Sequence, residues 1–276
     1  VLLVEYHTKM NAMDPMNMEM LLNAVDMAEN EGWKGVVIGN DAANFCAGAN
    51  LGLALFAANL AAWKDLDDFI GLGQDTYQTL KYSEVPIVAA SAGLCLGGGA
   101  EVLMHCDAVQ AHSESYVGLV EVGVGIIPAW GGCKEYLGRV KEFGLVSNGP
   151  MGAVMKAFEV IGTAQVAKSA DQARTLGFLG PNDNITMNRD RLLSDAKKTL
   201  IRLSKDYSPP EPRIYTLPGP SGKAALELAV NDLALSGKVT PHDIVVTNAL
   251  AEILTGGDTD ITDILQEDDI LAMEKN

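Results

Sequence analysis

Pro86-Ile87-Val88-Ala89-Ala90-Ser91-Ala92-Gly93-Leu94-Cys95-Leu96-Gly97-Gly98-Gly99-Ala100-Glu101 carries a small, apolar run into a triple glycine and then an acid. Residues 86–91 read as a strand buried on both faces, and residues 97–101 as the opening of a helix. Glycines at such a junction let a ligand approach the main chain closely. Free amides at a helix start attract negative charge. A plain strand-to-helix turn has the same composition, so the ligand reading needs a second element.

Two stretches supply it. Asn44-Phe45-Cys46-Ala47-Gly48-Ala49-Asn50-Leu51 follows another fully apolar strand, residues 35–39, at the place where α/β proteins bind ligands. Paired with the Gly98 turn, it would give the second of two convergent N–H donors, each able to contribute roughly 3–4 kcal/mol to a transition state. Downstream, Tyr116-Val117-Gly118-Leu119-Val120-Glu121-Val122-Gly123-Val124-Gly125-Ile126-Ile127-Pro128 sets Glu121 twenty residues after Glu101, again among glycines and apolar groups. Either glutamate alone reads as a solvated charge. Together, beside two glycine turns, they read as poorly hydrated carboxyls with raised pKa values, fit to divide acid and base work.

Strands at 1–6, 35–39, 86–91 and 107–111 alternate with helices at 16–31 and 51–83, the latter with breaks near Asp65 and residues 71–73. Residues 119–127 read as strand and turn. The alternation implies an α/β class. From about Gly149 the chain turns helical: 151–161, 170–176, 189–205, 223–235, 242–254 and 260–273, with caps at Ser169, Ser221 and Thr240. Prolines 209, 210, 212, 218 and 220 mark 207–222 as an extended connector. The domains are accordingly read as 1–150, a core with the active site, and 151–276, a helical C-terminal region.

The net charge of −16 argues against general nucleic-acid binding. No apolar stretch is long enough to span a bilayer. Cys46, Cys95, Cys106 and Cys133 lack metal or redox spacing and read as core residues in a reducing cytoplasm. The histidines have no ligand spacing, so no metal is expected. Neither a P-loop nor a dinucleotide fingerprint is present. A chain that opens inside a strand and ends inside a helix leads us to expect a piece of a longer protein.

At these motifs the chain resembles the crotonase, or enoyl-CoA hydratase/isomerase, superfamily. Asn11-Ala12-Met13 is similar to its Asn-Ala-Leu. Residues 45–51 resemble its Phe-x-x-Gly-Ala-Asp-Leu loop. Residues 86–101 resemble its Pro-Val-Ile-Ala-Ala-x-x-Gly-x-x-x-Gly-Gly-Gly-x-Glu. Glu121 with Ile127-Pro128 resembles the segment holding the second acid, and 158–179 resembles its Thr-Gly and Ala-Gly-Leu helix pair. The Pro-rich tail and the wording of residues 121–125 look most like the hydratase half of fused 3-hydroxyacyl-CoA dehydrogenase/enoyl-CoA hydratase proteins. A dehydrogenase half would then lie outside this chain.

The resemblance implies a spiral of ββα repeats followed by helices, a trimer or hexamer, and syn hydration of trans-2-enoyl-CoA in fatty-acid β-oxidation. The alternatives it leaves are a Δ3,Δ2-enoyl-CoA isomerase and a non-catalytic acyl-CoA-binding or assembly domain. It gives the thioester oxygen to the amides of Ala49 and Gly98, water to Glu101 and Cα to Glu121. Coenzyme A enters as part of the substrate, with no prosthetic group, and meets Ala47 and Leu51. Lys9 is the candidate contact for its phosphates or adenine, although it reads equally as a surface lysine. Three departures stand out: Asn50 for Asp, expected to keep a capping side chain; Val120 for Pro; and Ala129-Trp130 for small residues, with Trp130 either lining the acyl pocket or packing in the core.

Overall fold

The structure, a computed structural model, describes residues 1–276 apart from Asn148, Ser236, Lys238 and the side chain of Leu233. The chain divides into two compact units, Val1–Gly118 with Val166–Glu211, and Leu119–Gln165 with Pro212–Asn276.

The first unit contains β1 (Leu2–Val4), α1 (Pro15–Asn30), β2 (Val36–Gly39), α2 (Leu51–Asn59), α3 (Trp63–Lys81), β3 (Ile87–Leu96), α4 (Gly98–Met104) and β4 (Ala108–Gly118). After the second unit's α5 (Gly132–Glu142) and α6 (Pro150–Gly162), it resumes with α7 (Ala170–Leu176), β5 (Asn184–Thr186) and α8 (Leu192–Leu203). The five strands pair in the order β1-β2-β3-β4-β5, all parallel. Every residue of β2 is buried, which is why its sequence is an unbroken apolar run. On one face, Val37, Val88, Ala90 and Ala108 pack against Leu192, Ala196 and Leu200 of α8. Those three lie on one side of a helix by their spacing. Asp14 starts α1 by accepting the Asn17 N–H at 2.9 Å, with Pro15 in the first turn.

The β3–β4 pairing shifts register between Ser91 and Gly93. Gly93 has φ +60°, and a Cβ there would meet the Ala43 carbonyl oxygen at 2.1 Å. Glycine therefore lets the 43–44 segment lie directly on the strand, where Asn44 Oδ1 accepts the Leu94 N–H at 3.0 Å.

The second unit holds a 3-10 turn at Glu121–Val124, then α5, α6, β6 (Ile214–Tyr215), α9 (Gly219–Leu235), α10 (Pro241–Thr255), β7 (Leu265–Gln266) and α11 (Glu267–Lys275). β6 and β7 pair antiparallel. Its buried polar centre is ionic. Lys134 and Glu135 are fully buried, and Lys134 pairs with Glu135 and with Glu267. Arg213 reaches Glu135 and Glu142. Desolvation acts against the charged Lys134 ammonium, yet its two acidic partners hold its pKa above the usual lysine range. Glu274 of α11 accepts the Gly131 N–H at 2.7 Å and the Lys134 N–H at 2.9 Å, so a C-terminal carboxyl caps the start of α5.

Several local expectations differ from the structure. The 51–83 helix breaks at residues 60–62, whereas Gly71 and Gly73 stay within α3. Gly73 is buried, and a residue without a side chain suits close packing there. Residues 119–127 form no strand: the 3-10 turn ends in left-handed Gly125, φ +84°. Ser221 is not a cap, because α9 begins earlier, at Gly219, and its Oγ donates to Pro218 O at 2.9 Å. The last helix starts at Glu267 rather than near 260. The Asp260 and Asp263 side chains bind nearby backbone amides and hold that segment in a turn. The extended connector also holds β6, and α5 and β5 were not anticipated. Asn50 stands at the N-cap of α2 but makes no capping bond. Its own N–H is engaged by Met13 O, and its ψ of 82° departs from extended cap geometry. Trp130 is 5% exposed.

Two outcomes follow from these contacts. Gly93→Ala should lower stability by about 1–3 kcal/mol in urea unfolding, because strain in φ adds to the clash with Ala43. Burial raises the Glu274 carboxyl from 4.5 to about 7, against the lowering effect of its two amide donors. The folded state thus keeps this proton where the unfolded chain has lost it, so stability falls as pH rises from 4.5 to 7 and levels beyond. The loss is on the order of 3 kcal/mol. Glu274→Gln should flatten that part of the pH–stability curve.

Candidate active site

The loop between β2 and α2 is hydrogen-bonded along both edges. Toward β3, the Phe45 N–H donates to Ala92 O at 2.8 Å, Cys46 N–H to Leu94 O at 3.0 Å, and Leu96 N–H to Cys46 O at 3.0 Å. On the other edge, Ala47 N–H donates to Met10 O at 3.2 Å, Met13 N–H to Gly48 O at 2.8 Å and Asn50 N–H to Met13 O at 2.8 Å. Asn11 Nδ2 adds a bond to Asn44 O at 2.8 Å. The Asn11-Ala12-Met13 segment is therefore the outer wall of this loop.

Against it lies the triple glycine. A Cβ on Gly99 would stand 2.6 Å from Cys46 O, and one on Gly48 would stand 3.7 Å from the Gly98 nitrogen. The two turns touch main chain to main chain. Among the described residues, the amides of Ala49 and Gly98 donate to no protein acceptor. Two neighbouring, unsatisfied N–H groups on backbone fixed from several sides are suited to receive an oxyanion. Tyr77, wholly buried, donates to Gly98 O at 3.0 Å and holds the glycine turn from α3. Glu101 follows within the first turn of α4 and is 1% exposed. Its carbonyl oxygen lies 2.7 Å from His105 Nδ1, and the His105 ring tilts against Tyr77 at 5.6 Å.

The structure thus gathers Ala47, Ala49, Leu51, Gly98 and Glu101 around one pair of turns, with exposed Lys9 on the segment bordering them. Leu51 is 42% exposed and begins α2, a helix with no buried residue that displays Leu53, Leu55 and Phe56. Tyr77 was missed because nothing in its local pattern marks it. Cys46, read as plain core, also accepts the Gly48 N–H at 3.4 Å through its sulfur and braces the loop.

Glu121 belongs to the second unit. It is half-buried overall, but its Oε2 is buried and, among the described residues, has no hydrogen-bond partner. Desolvation raises its carboxyl to about 7, opposed by the amides of Glu121 and Val120. It therefore exists near neutrality as a mixture of acid and conjugate base. Among the described residues no group of three or more His, Cys, Asp or Glu is placed to hold a metal, and no helix is long and apolar enough to cross a membrane.

A family model described as Enoyl-CoA hydratase/isomerase matches residues 2–142. A probable 3-hydroxyacyl-CoA dehydrogenase of Bacillus subtilis is 38% identical over the whole chain, which covers 34% of that protein. A crotonyl-CoA hydratase of Syntrophomonas wolfei is 31% identical over 73% of this chain and 72% of its own length. The solved structure of an enoyl-CoA hydratase from Bacillus halodurans superposes with a TM-score of 0.62 at 18% identity, covering 99% of this chain and 90% of that one. The chain spans about a quarter to a third of the length of the longer relatives, which are named as a dehydrogenase and as trifunctional fatty-acid oxidation enzymes. With half of the chain matched by the family model and the fold shared with solved relatives, this protein belongs to the enoyl-CoA hydratase/isomerase family.

Proposed function

We propose that this chain is an enoyl-CoA hydratase, adding water syn across trans-2-enoyl-CoA to give 3-hydroxyacyl-CoA. The observation that carries the reading is the pair of adjacent, unsatisfied amides at Ala49 and Gly98. As water adds at Cβ, electron density moves onto the thioester oxygen, and preset donors lower the energy of that enolate-like state. Glu101 takes the role of orienting and deprotonating water. Glu121, protonated up to about pH 7, takes that of delivering a proton to Cα.

The substrate brings coenzyme A with it, and the reading needs no prosthetic group. Ala47 and Leu51 are assigned to the coenzyme, and Lys9 to its phosphates. The apolar surface of α2 is consistent with a ligand carrying an acyl tail. The names of the longer relatives favour a place in fatty-acid oxidation, with a dehydrogenase domain joined to or partnering this one. A cytoplasmic homo-oligomer, trimeric or hexameric, completes the proposal.

Hydration of C4 and C16 trans-2-enoyl-CoA, followed by loss of the conjugated thioester absorbance, is the test. Glu101→Gln and Glu121→Gln should each lower kcat by about 10²–10⁴-fold while KM stays within a few-fold. Survival of 3-enoyl-CoA isomerisation in Glu101→Gln, with no hydration by the wild type, would select the isomerase instead. Tight binding of the thioester without any turnover would select the non-catalytic reading.

The pH profile is a separate check. Glu121 must hold its proton to act as the acid, and its raised carboxyl lets it do so up to about 7. The value of kcat/KM for hydration should therefore fall as pH rises through about 7.

A further inference from the structure

Glu121 opens its 3-10 turn, and the turn closes on a single peptide unit, Gly125–Ile126. The Ile126 N–H of that unit donates to Glu121 O at 3.2 Å. The Gly125 carbonyl of the same unit lies 2.8 Å from His242 Nε2. A carbonyl can only accept, so Nε2 carries the hydrogen. One peptide thus links the imidazole N–H to the backbone of Glu121. The contact is close on its flank as well: a Cβ on Gly125 would come within 2.9 Å of Nε2 and 3.0 Å of Cδ2. Any side chain at 125 would displace the ring.

The backbone that carries the ring is itself held in place. His242 sits in the first turn of α10, between Pro241 and Asp243, where Thr240 and Asp243 form a reciprocal cap: Thr240 N–H to Asp243 Oδ2 at 2.7 Å, Asp243 N–H to Thr240 Oγ1 at 3.2 Å. At the far end of the same connection, Gly131 donates to Glu274. Within 207–276, for which the sequence suggested no chemical role, His242 and Glu274 therefore grip the Glu121-bearing segment at Gly125 and at Gly131. Among the described residues Glu121 Oε2 has no hydrogen-bond partner, and the amides that act on the carboxyl are those of Glu121 and Val120, so its direction follows the backbone of this turn.

We propose that His242 is a positioning residue for Glu121, fixing the catalytic turn through the Gly125–Ile126 peptide. The inference rests on the role given to Glu121 above. His242 is exposed, so its replacement leaves the core intact.

The experiment compares His242→Ala, His242→Gln and Glu121→Gln with the His242→Ala/Glu121→Gln double variant, on the full chain. His242→Ala should lower kcat for crotonyl-CoA hydration about tenfold, with KM changed less than about twofold, because small misplacement of a catalytic group costs rate rather than binding. His242→Gln, which can return an N–H donor, should recover most of that loss. In the Glu121→Gln background, His242→Ala should have no further effect. Unchanged kcat in His242→Ala, or a full additive loss in the double variant, overturns the proposal. A second readout keeps the two readings apart. The side-chain carboxyl ¹³C resonance of Glu121, identified by its absence in Glu121→Gln, should move in His242→Ala and return in His242→Gln. That shift in a chain without hydratase turnover would sustain His242 and remove the hydratase reading; an unmoved resonance overturns the role of His242 whatever the activity.

Discussion

A main-chain contact with no room for a side chain governs the first unit. The segment ending in Gly48 and the turn at Gly97–Gly99 meet so closely that a methyl group at Gly99 would overlap Cys46 O. Hydrogen bonds cannot be made between two backbones at that junction without consuming their amides. Among the described residues the amides of Ala49 and Gly98 are left over, while the backbone around them is held by β3, by residues 10–13, by the Cys46 sulfur and by Tyr77. Leaving a donor unsatisfied at the buried Gly98 costs free energy, and completion by a ligand is one of the ways such a group is explained. β2 ends opposite Ala90, six residues before β3 does, and the segment after β2 continues alongside β3 through Phe45 and Cys46, which brings Gly48 to the turn that follows Leu96.

The parts of this arrangement that could be read in advance are those set by local sequence. The apolar run of β2, the small apolar residues of β3 and the triple glycine each force a narrow range of conformations, and their order implied the α/β class, whereas Ala49 and Gly98 were named through the family resemblance. What could not be read depends on contacts distant in the chain. Tyr77 reaches Gly98 from 21 residues away. Helix α5 carries a charged, glycine-containing sequence whose Glu135 and Glu142 both meet Arg213, 78 and 71 residues further along the chain. The 119–127 stretch has the β-branched residues of a strand, but Gly125 in the left-handed region turns it into a 3-10 loop. Sequence propensity yields there to tertiary geometry.

Buried acids in the second unit fall into two kinds, and the contrast separates structure from chemistry. Glu135 and Glu267 are paired with Lys134, and Glu135 also with Arg213. In such a lattice each charge is compensated, and its members hold elements together. Glu274 is intermediate: burial lifts its carboxyl to about 7, yet both oxygens accept backbone amides and have a defined structural task.

Glu121 is of the other kind. The same lift, to about 7, arises from burial, but among the described residues one oxygen has nothing to accept from. A carboxyl with a satisfied lattice around it resists gaining or losing a proton, because either change breaks bonds. A carboxyl whose surroundings tolerate both states at neutral pH, and whose backbone is clamped at Gly125 by His242, can exchange a proton without moving. That combination of electrical indifference and mechanical fixity is what proton delivery to a carbon centre demands. It also sets this acid, the less buried one, apart from the more numerous acids around Lys134 and supports the role proposed for it.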